Sequence, residues 1–150
     1  IITVREEIAF LDEFLHIQEY RFEDEFSYEI HVQEEAYECK IPKMILQPLV
    51  ENACVHGLEA IEDKRWVGIC VSVDFTKNML YLQVEDNGGG MTAEKLEALK
   101  VSFQEKDEKG KSVGLKNVYR RLSLYYGDRM TFDIESVVGR GTICRICIPL

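Results

Sequence analysis

Residues 45–57 of this 150-residue chain read Ile45-Leu46-Gln47-Pro48-Leu49-Val50-Glu51-Asn52-Ala53-Cys54-Val55-His56-Gly57. The apolar residues in this stretch recur at the spacing of one helical face, which predicts a helix packed on the core. They are Leu46, Leu49, Val50 and Ala53. Asn52 and His56 are four residues apart, so a helix places them on one side. Because an amide competes with the backbone of a helix, Asn52 is either satisfied by local hydrogen bonds or kept for a ligand.

A second informative stretch, residues 86–91, reads Asp86-Asn87-Gly88-Gly89-Gly90-Met91 and follows a predicted strand. The glycines allow the backbone to approach a flat ligand closely, although a plain turn has the same composition. A carboxylate at the strand end offers hydrogen-bond acceptors only. It would pair with the exocyclic amino group of adenine and repel the carbonyl oxygen of guanine. Asp86 is therefore predicted to select a base rather than to act as an acid or a base.

Asn52 supplies a neutral oxygen, and Mg²⁺ prefers oxygen ligands, of which it takes several from phosphates and water. A base-rich segment, residues 106–121, holds six lysine or arginine residues and two acids. The bases are Lys106, Lys109, Lys111, Lys116, Arg120 and Arg121. Such a segment fits a phosphate site, and the amides of a helix that begins near Gly114 could hold an anion. The alternative is a solvated helix and loop surface.

The net charge of −9 is concentrated at the N-terminus, where residues 1–38 carry twelve acids and two bases. This acidic arm excludes nucleic acid as its partner, and it is either a solvated helix face or a docking surface. No apolar run has the length of a membrane span. The five cysteines are predicted to be buried, reduced thiols rather than metal ligands, which favours a reducing compartment.

The remaining patterns predict helices at residues 3–22, 92–101 and 114–126 and strands at residues 28–32, 66–75, 79–85, 130–137 and 142–148. Pro48 belongs in a first turn, so the central helix is expected to begin near Leu46. Short turns join two pairs of strands into hairpins. Together these elements predict an α+β two-layer sandwich, with helices on one face of a mixed, mostly antiparallel sheet.

Four segments, in this order, resemble motifs of the LytS/YesM-type sensor histidine kinases. Residues 46–53 with His56 and Gly57 are similar to the N box, and residues 86–91 to the first glycine box. Residues 114–118 are similar to the second glycine box, and residues 139–142 to the closing Gly-Thr element. Residues 14–22 resemble the linker helix of the family, so the resemblance covers nearly the whole chain.

The resemblance implies the Bergerat (GHKL) ATP-binding fold, which histidine kinases share with gyrase, a heat-shock chaperone and MutL. It implies a linker helix at residues 1–25 that leads from a phosphoacceptor domain absent from this chain. An ATP-binding catalytic domain is then expected at residues 26–150, with a flexible ATP lid at about residues 87–113. ATP and Mg²⁺ are the implied ligands.

The resemblance also implies roles for single residues at the adenine and metal ends of the pocket. Asn52 is expected to bind Mg²⁺, and His56 to lie near the phosphates. Asp86 is expected to bind the amino group of adenine. Gly88 and Gly90 are expected to shape the adenine pocket and to hinge the lid.

Further roles concern the phosphates. Gly114 and Leu115 are expected to border them, with Lys116 as a further ATP-binding residue. Thr142 is expected to support Asp86, directly or through water. Glu51, next to Asn52, is the candidate catalytic residue, which would orient the γ-phosphate or a nucleophile.

The chain departs from the family pattern at three positions. Val55 stands where the family often has a lysine, which puts one phosphate contact in doubt. Ser112 replaces a glycine that usually opens the second glycine box, which puts the geometry of the lid in doubt. Pro48 occupies the position of the glutamate that ATP-hydrolysing relatives carry four residues before the asparagine.

The implied activity is that of a histidine protein kinase, which transfers the γ-phosphoryl group of Mg-ATP to a histidine on an upstream dimerisation domain of the same or the partner chain. Of the chain's own histidines, His16 matches no acceptor motif and is interpreted as a surface residue, and His31 is interpreted as a residue on a strand surface. A response regulator is the expected partner of a homodimeric full-length protein anchored in the bacterial plasma membrane, with this domain in the cytoplasm. The alternatives are a nucleotide-driven regulatory clamp, a catalytically weakened ATP-binding module and, more distantly, a serine kinase of the anti-sigma type.

Overall fold

The computed structural model of the chain describes residues 1–23, 25–105 and 114–150. The α-helices in these residues are α1 (Val4–Arg21), α2 (Leu46–Asn52), α3 (Ala93–Ser102) and α4 (Gly114–Tyr126). The strands are β1 (Ile2–Thr3), β2 (Phe26–Val32), β3 (Lys40–Ile41), β4 (Arg65–Asp74), β5 (Met79–Asp86), β6 (Thr131–Val137) and β7 (Gly141–Pro149). Short 3-10 turns cover Glu34–Ala36, Leu58–Ala60 and Gly127–Arg129, and a π-helical turn covers Ala53–Gly57.

The main sheet has the strand order β2-β4-β5-β7-β6. Strand β2 runs parallel to β4, and the other neighbours are antiparallel, so the sheet is mixed as predicted. Along β5 the inward residues are Leu80, Leu82, Val84 and Asp86, and they are buried. The alternation that buries three apolar side chains therefore also carries the carboxyl group of Asp86 to the inner face.

The helices cover that inner face of the sheet. Leu11 and Leu15 of α1, Leu46 and Val50 of α2, and Val118 and Leu122 of α4 belong to the same buried core as Ile69, Leu82 and Ile146 of the sheet. The predicted two-layer α+β sandwich is confirmed. Within the described residues, no helix combines the length and the hydropathy that a bilayer crossing requires.

The prediction of one continuous helix over residues 45–57 is correct at its start and wrong at its end. Helix α2 begins at Leu46, with Pro48 in its first turn. It ends at Asn52, and the chain continues as the π-helical turn and then a 3-10 turn. The wider turn brings the backbone of Gly57 against Asp86, where a Cβ atom would lie 2.8 Å from Oδ1 of that residue. Such π-helical turns are frequent at functional sites.

The prediction that the thiols are buried holds for Cys54 and Cys144, and burial raises the pKa of both to about 12. It is wrong for Cys70, which is exposed. The reason is the alternation of β4, because Cys70 points to the face of the sheet that the helices leave uncovered.

Candidate functional site

A cavity of about 250 Å³ lies between the helical layer and the sheet, where α2 ends and β5 ends. Six of the predicted site residues line it, namely Asn52, His56, Asp86, Gly90, Leu115 and Thr142. The tertiary structure thus brings together residues that are up to 90 positions apart in the chain. Four further lining residues were not predicted as site residues, namely Gly57, Met91, Lys95 and Leu99.

A second cavity, of about 180 Å³, adjoins the first and shares Asn52 and His56 with it. Glu51 and Gly114 line this second cavity. Asn52 therefore stands at the junction between a largely apolar compartment that contains Asp86 and a more open compartment beside the start of α4. A ligand with a flat ring at one end and a polar chain at the other matches this arrangement.

Asp86 lines the first cavity and is only 7% exposed. Its Oδ1 accepts a hydrogen bond of 2.8 Å from the backbone N–H of Gly88. Burial raises the pKa of the Asp86 carboxyl to about 6, although the backbone N–H groups of Gly88 and Thr142 lower it in part. The group is therefore mainly ionised at pH 7, and an ionised carboxyl can only accept hydrogen bonds.

Thr142 is paired with Asp86 across β5 and β7, and Ser136 joins it to the glycine loop. The Oγ of Ser136 accepts a hydrogen bond of 2.8 Å from the backbone N–H of Met91 and donates to the carbonyl of Gly141 at 3.0 Å. Because the one proton of Ser136 is used in this way, the Thr142 hydroxyl, 2.8 Å away, is the donor in their mutual contact. The lone pairs of Thr142 remain as acceptors for a ligand or a water.

Gly88 does not line either cavity, but it holds Asp86 in place. It donates its backbone N–H to Asp86, and its Cα lies so close to the backbone of Gly57 that an added Cβ would overlap it. Gly89 then donates to the carbonyl of Gly57 at 3.0 Å. The glycine loop is thus fastened directly to the end of the π-helical turn, with no side chain between the two backbones.

Gly90 has a φ of 71°, and a Cβ atom there would overlap the carbonyl oxygen of Val137. Gly139 has a similar φ of 81° but nothing within 4 Å of its Cβ position.

We expect Gly139→Ala to cost about 1–2 kcal/mol of unfolding free energy, because only backbone strain is added. Gly90→Ala is expected to cost a further ~1–3 kcal/mol from the overlap. Chemical denaturation of the two variants checks the difference, and equal losses would contradict it.

Lys116 was predicted to bind ATP, but it is buried in α4 and lines neither cavity. The predicted lid, residues 87–113, includes α3, whereas Ser112 and the lysines at positions 106, 109 and 111 lie outside the described residues. Lys95 and Leu99, both on α3, were missed as site residues. Their i, i+4 spacing, directly after the glycine loop, is the signal that could have identified them.

Comparisons with known proteins agree with this geometry. Residues 40–150 match the family described as histidine kinase-, DNA gyrase B- and HSP90-like ATPase. The chain is 34% identical to the sensor histidine kinase YesM of Bacillus subtilis, over 99% of its own length and 24% of that protein. It is 31% identical to the sensor protein kinase HptS of Staphylococcus aureus, over 99% of its own length and 28% of that protein. The chain thus spans about a quarter of the length of these curated relatives.

Among solved structures, the catalytic domain of the histidine kinase ThkA superposes with a TM-score of 0.68 at 12% identity, covering 99% of this chain and 93% of that domain. A structure of ThkA in complex with a response regulator protein superposes with a TM-score of 0.66 at 15% identity, covering 99% of this chain and 40% of ThkA. At these identities the likeness concerns the fold alone. The family match, by contrast, extends over most of the chain and includes the segments that line both cavities. The chain therefore belongs to the histidine kinase-, DNA gyrase B- and HSP90-like ATPase family.

Proposed function

We propose that the chain is the ATP-binding catalytic domain of a sensor histidine kinase. The observation that carries this proposal is the position of Asp86, a buried acceptor that lines the first cavity. Asn52 lines the same cavity. A side chain at Gly57 would contact the carboxyl group of Asp86, so the glycine keeps that carboxyl accessible to a ligand. The relatives named as sensor histidine kinases support the same assignment.

The adenine end is proposed to lie at Asp86. The exocyclic amino group of adenine is a donor, which the ionised carboxyl can accept, whereas guanine presents a carbonyl oxygen that the carboxyl would repel. Met91, Leu99 and Leu115 line the same compartment and offer the apolar contact that a purine ring requires. Thr142 adds an acceptor beside Asp86, directly or through a water.

The phosphate end is proposed to lie at the junction of the two cavities. Asn52 would hold Mg²⁺ through its amide oxygen, and this donor set fits a metal that takes its other ligands from phosphates and water. Bound Mg²⁺ supplies positive charge to the triphosphate. His56 and Gly114 would border the phosphates, and Glu51 would orient the γ-phosphate or a nucleophile.

The pKa of Asp86 gives this proposal a pH signature. Base binding requires the ionised carboxyl, so the affinity for adenosine is expected to be full well above the pKa of about 6 and to fall as the pH passes down through that value. At pH 5 the dissociation constant for adenosine should be about tenfold higher than at pH 7.5. Adenosine is the suitable probe, because the triphosphate itself titrates in this range. A flat calorimetric profile between pH 7.5 and pH 5 would contradict the assignment.

For the whole protein we propose that the γ-phosphoryl group passes from ATP to an imidazole nitrogen of a histidine on a dimerisation domain upstream, with ADP as the leaving group. Residues 1–25 would be the linker to that domain, and residues 87–113 would close over the nucleotide as a lid. A response regulator would then receive the phosphoryl group. The protein is proposed to be a homodimer anchored in the plasma membrane.

Calorimetric titration with ATP and GTP, each with and without Mg²⁺, tests nucleotide binding by the 150-residue chain. We expect ATP to bind and GTP to bind at least tenfold more weakly, because of the repulsion at Asp86. A longer chain that includes the upstream histidine should acquire label from γ-labelled ATP. Binding of ATP without any labelling of that histidine would favour the regulatory clamp instead, and the absence of ATP binding would contradict both.

A further inference from the structure

The short segment that leads into α2, residues 43–45 with the first helical residue Leu46, is held by hydrogen bonds from two other helices. Met44 has a φ of 64°, a left-handed conformation that a residue with a side chain rarely adopts. From α1, the carboxylate of Glu7 accepts hydrogen bonds from three successive backbone N–H groups, those of Met44 (3.2 Å), Ile45 (2.7 Å) and Leu46 (2.8 Å). From α4, the guanidinium group of Arg121 donates to the carbonyl oxygens of Lys43 and Met44.

Glu7 caps the N-terminus of α2, although it lies 39 positions before the first residue of that helix. The first N–H groups of any α-helix have no partner within the helix, and the residue before α2 is Ile45, whose side chain cannot accept. Glu7 is fully buried, so its oxygens have no access to solvent. Its three partners are all donors, and only an acceptor group satisfies them.

The other end of the site segment is also fastened to α1. Arg21, in the last turn of α1, forms an ion pair with Glu59 in the 3-10 turn that follows the π-helical turn. Phe22, the next residue, lies under the guanidinium group of Arg65 at 4.6 Å. Arg65 in turn donates to the carbonyl oxygen of Leu58 at 2.9 Å. Helix α1 is therefore attached to both ends of the segment from Met44 to Glu59. Asn52 and His56 lie between these two attachment points.

Asp86 is positioned in a different way. It belongs to β5, the central strand of the sheet, and its neighbours are set by the pairing of β5 with β4 and β7. A shift of α1 would therefore act mainly on the segment that carries Asn52 and His56, whereas Asp86 is held by the pairing of its own strand and contacts that segment at Gly57.

We propose that Glu7 is a positioning residue, which holds Asn52 and His56 at the correct distance from Asp86 and so couples α1 to the affinity for Mg-ATP. This inference rests on the proposed function. By thermodynamic reciprocity, the bound nucleotide would in turn tighten the attachment of α1.

The test compares Glu7→Gln with Glu13→Gln in the 150-residue chain. Both changes remove one charge from α1, but Glu13 is exposed. The titrations are done well below the unfolding temperature of each variant. We expect Glu7→Gln to raise the dissociation constant for Mg-ATP about tenfold and to change the dissociation constant for adenosine less than twofold. Glu13→Gln should change neither. A purely structural role of Glu7 would lower the unfolding temperature but leave both affinities of the folded variant at the parent values, and this result would overturn the inference.

Hydrogen exchange without nucleotide gives a second readout that does not depend on the proposed function. In Glu7→Gln, the amides of residues 52–57 should exchange about tenfold faster than in the parent, while those of β5 keep their rates. If the parent fails to bind ATP, the proposed function fails, and this exchange pattern still decides the role of Glu7. Unchanged exchange at residues 52–57 overturns it. Glu7→Asp, which withdraws the carboxyl by one methylene, serves in the same assays if Glu7→Gln does not fold.

Discussion

Asp86→Asn is expected to abolish most of the affinity for ATP while the fold becomes no less stable. An asparagine can keep its oxygen on the N–H of Gly88, but it then directs an NH₂ group toward the amino group of adenine. Replacing an acceptor by a donor in a buried contact costs about 3 kcal/mol, which is a roughly 100-fold loss of affinity. Calorimetry at pH 7.5 measures this loss directly.

The stability of the same variant follows from the sign of the pKa shift. The pKa of Asp86 rises from 3.8 to about 6 on folding, because burial disfavours the ionised form. The folded state therefore binds the proton more tightly, and stability is lost as the pH rises from about 4 through 6. At pH 7.5 the ionised carboxyl costs the fold on the order of 2–3 kcal/mol, and a neutral amide avoids this cost. Thermal unfolding of Asp86→Asn should accordingly depend less on pH between 4 and 7 than that of the parent.

Glu85→Gln is the matched control for Asp86→Asn. Glu85 precedes Asp86 on β5, and its side chain points to the uncovered face of the sheet. The control removes the same charge from the same strand. Because Glu85 faces away from the cavity, the affinity of this variant for ATP should remain that of the parent. If both variants lost affinity equally, a general electrostatic effect would explain the result, and the proposed contact with adenine would be refuted.

Asn52→Ala is expected to remove the dependence of ATP binding on Mg²⁺. In the parent, the amide oxygen at the junction of the two cavities would hold the metal together with phosphate oxygens. Loss of a direct metal ligand should lower the affinity for Mg-ATP by roughly 100-fold, since even the mutation of residues that hydrogen-bond to metal ligands lowers metal affinity about 10–100-fold. The fold should remain intact, because Asn52 is only half-buried at the end of α2 and alanine favours helix.

The measurement for Asn52→Ala is the ratio of ATP affinities with Mg²⁺ and with a chelator. This ratio should be near one in the variant and large in the parent. Asn52→Asp retains an oxygen at the same position and should preserve the dependence on Mg²⁺. If Asn52→Ala had the same ratio of affinities as the parent, Asn52 would be excluded as a metal ligand.

Much of this molecule could be predicted from local patterns. The helices predicted at residues 3–22 and 114–126 and the strand predicted at residues 79–85 depend on residues close together in the chain, and the structure has α1, α4 and β5 there. The same holds for the start of α2 near Leu46. The presence of Asp86 at a strand end, two residues before the first of three glycines, was enough to predict a place for a flat base.

Other features required the tertiary structure. Glu7 looked like one more acid of a charged helix face, and only the packing of α1 on the segment before α2 buries it beneath three N–H groups. Ser136 gave no signal, because its partners come from the glycine loop and from β7. The π-helical turn after Asn52 was likewise invisible in the helical periodicity.

What the sequence by itself determined, then, is the set of helices and strands and the candidate residues at their ends, since both depend on short spacings of residue types. The tertiary structure alone decided which of those residues share a cavity and how their distances are held. It joined Asn52 to Asp86 through the contact of Gly57 with the glycine loop, and it gave α2 a cap from α1. These are contacts between segments tens of residues apart, and no local pattern encodes which buried donor will meet which acceptor.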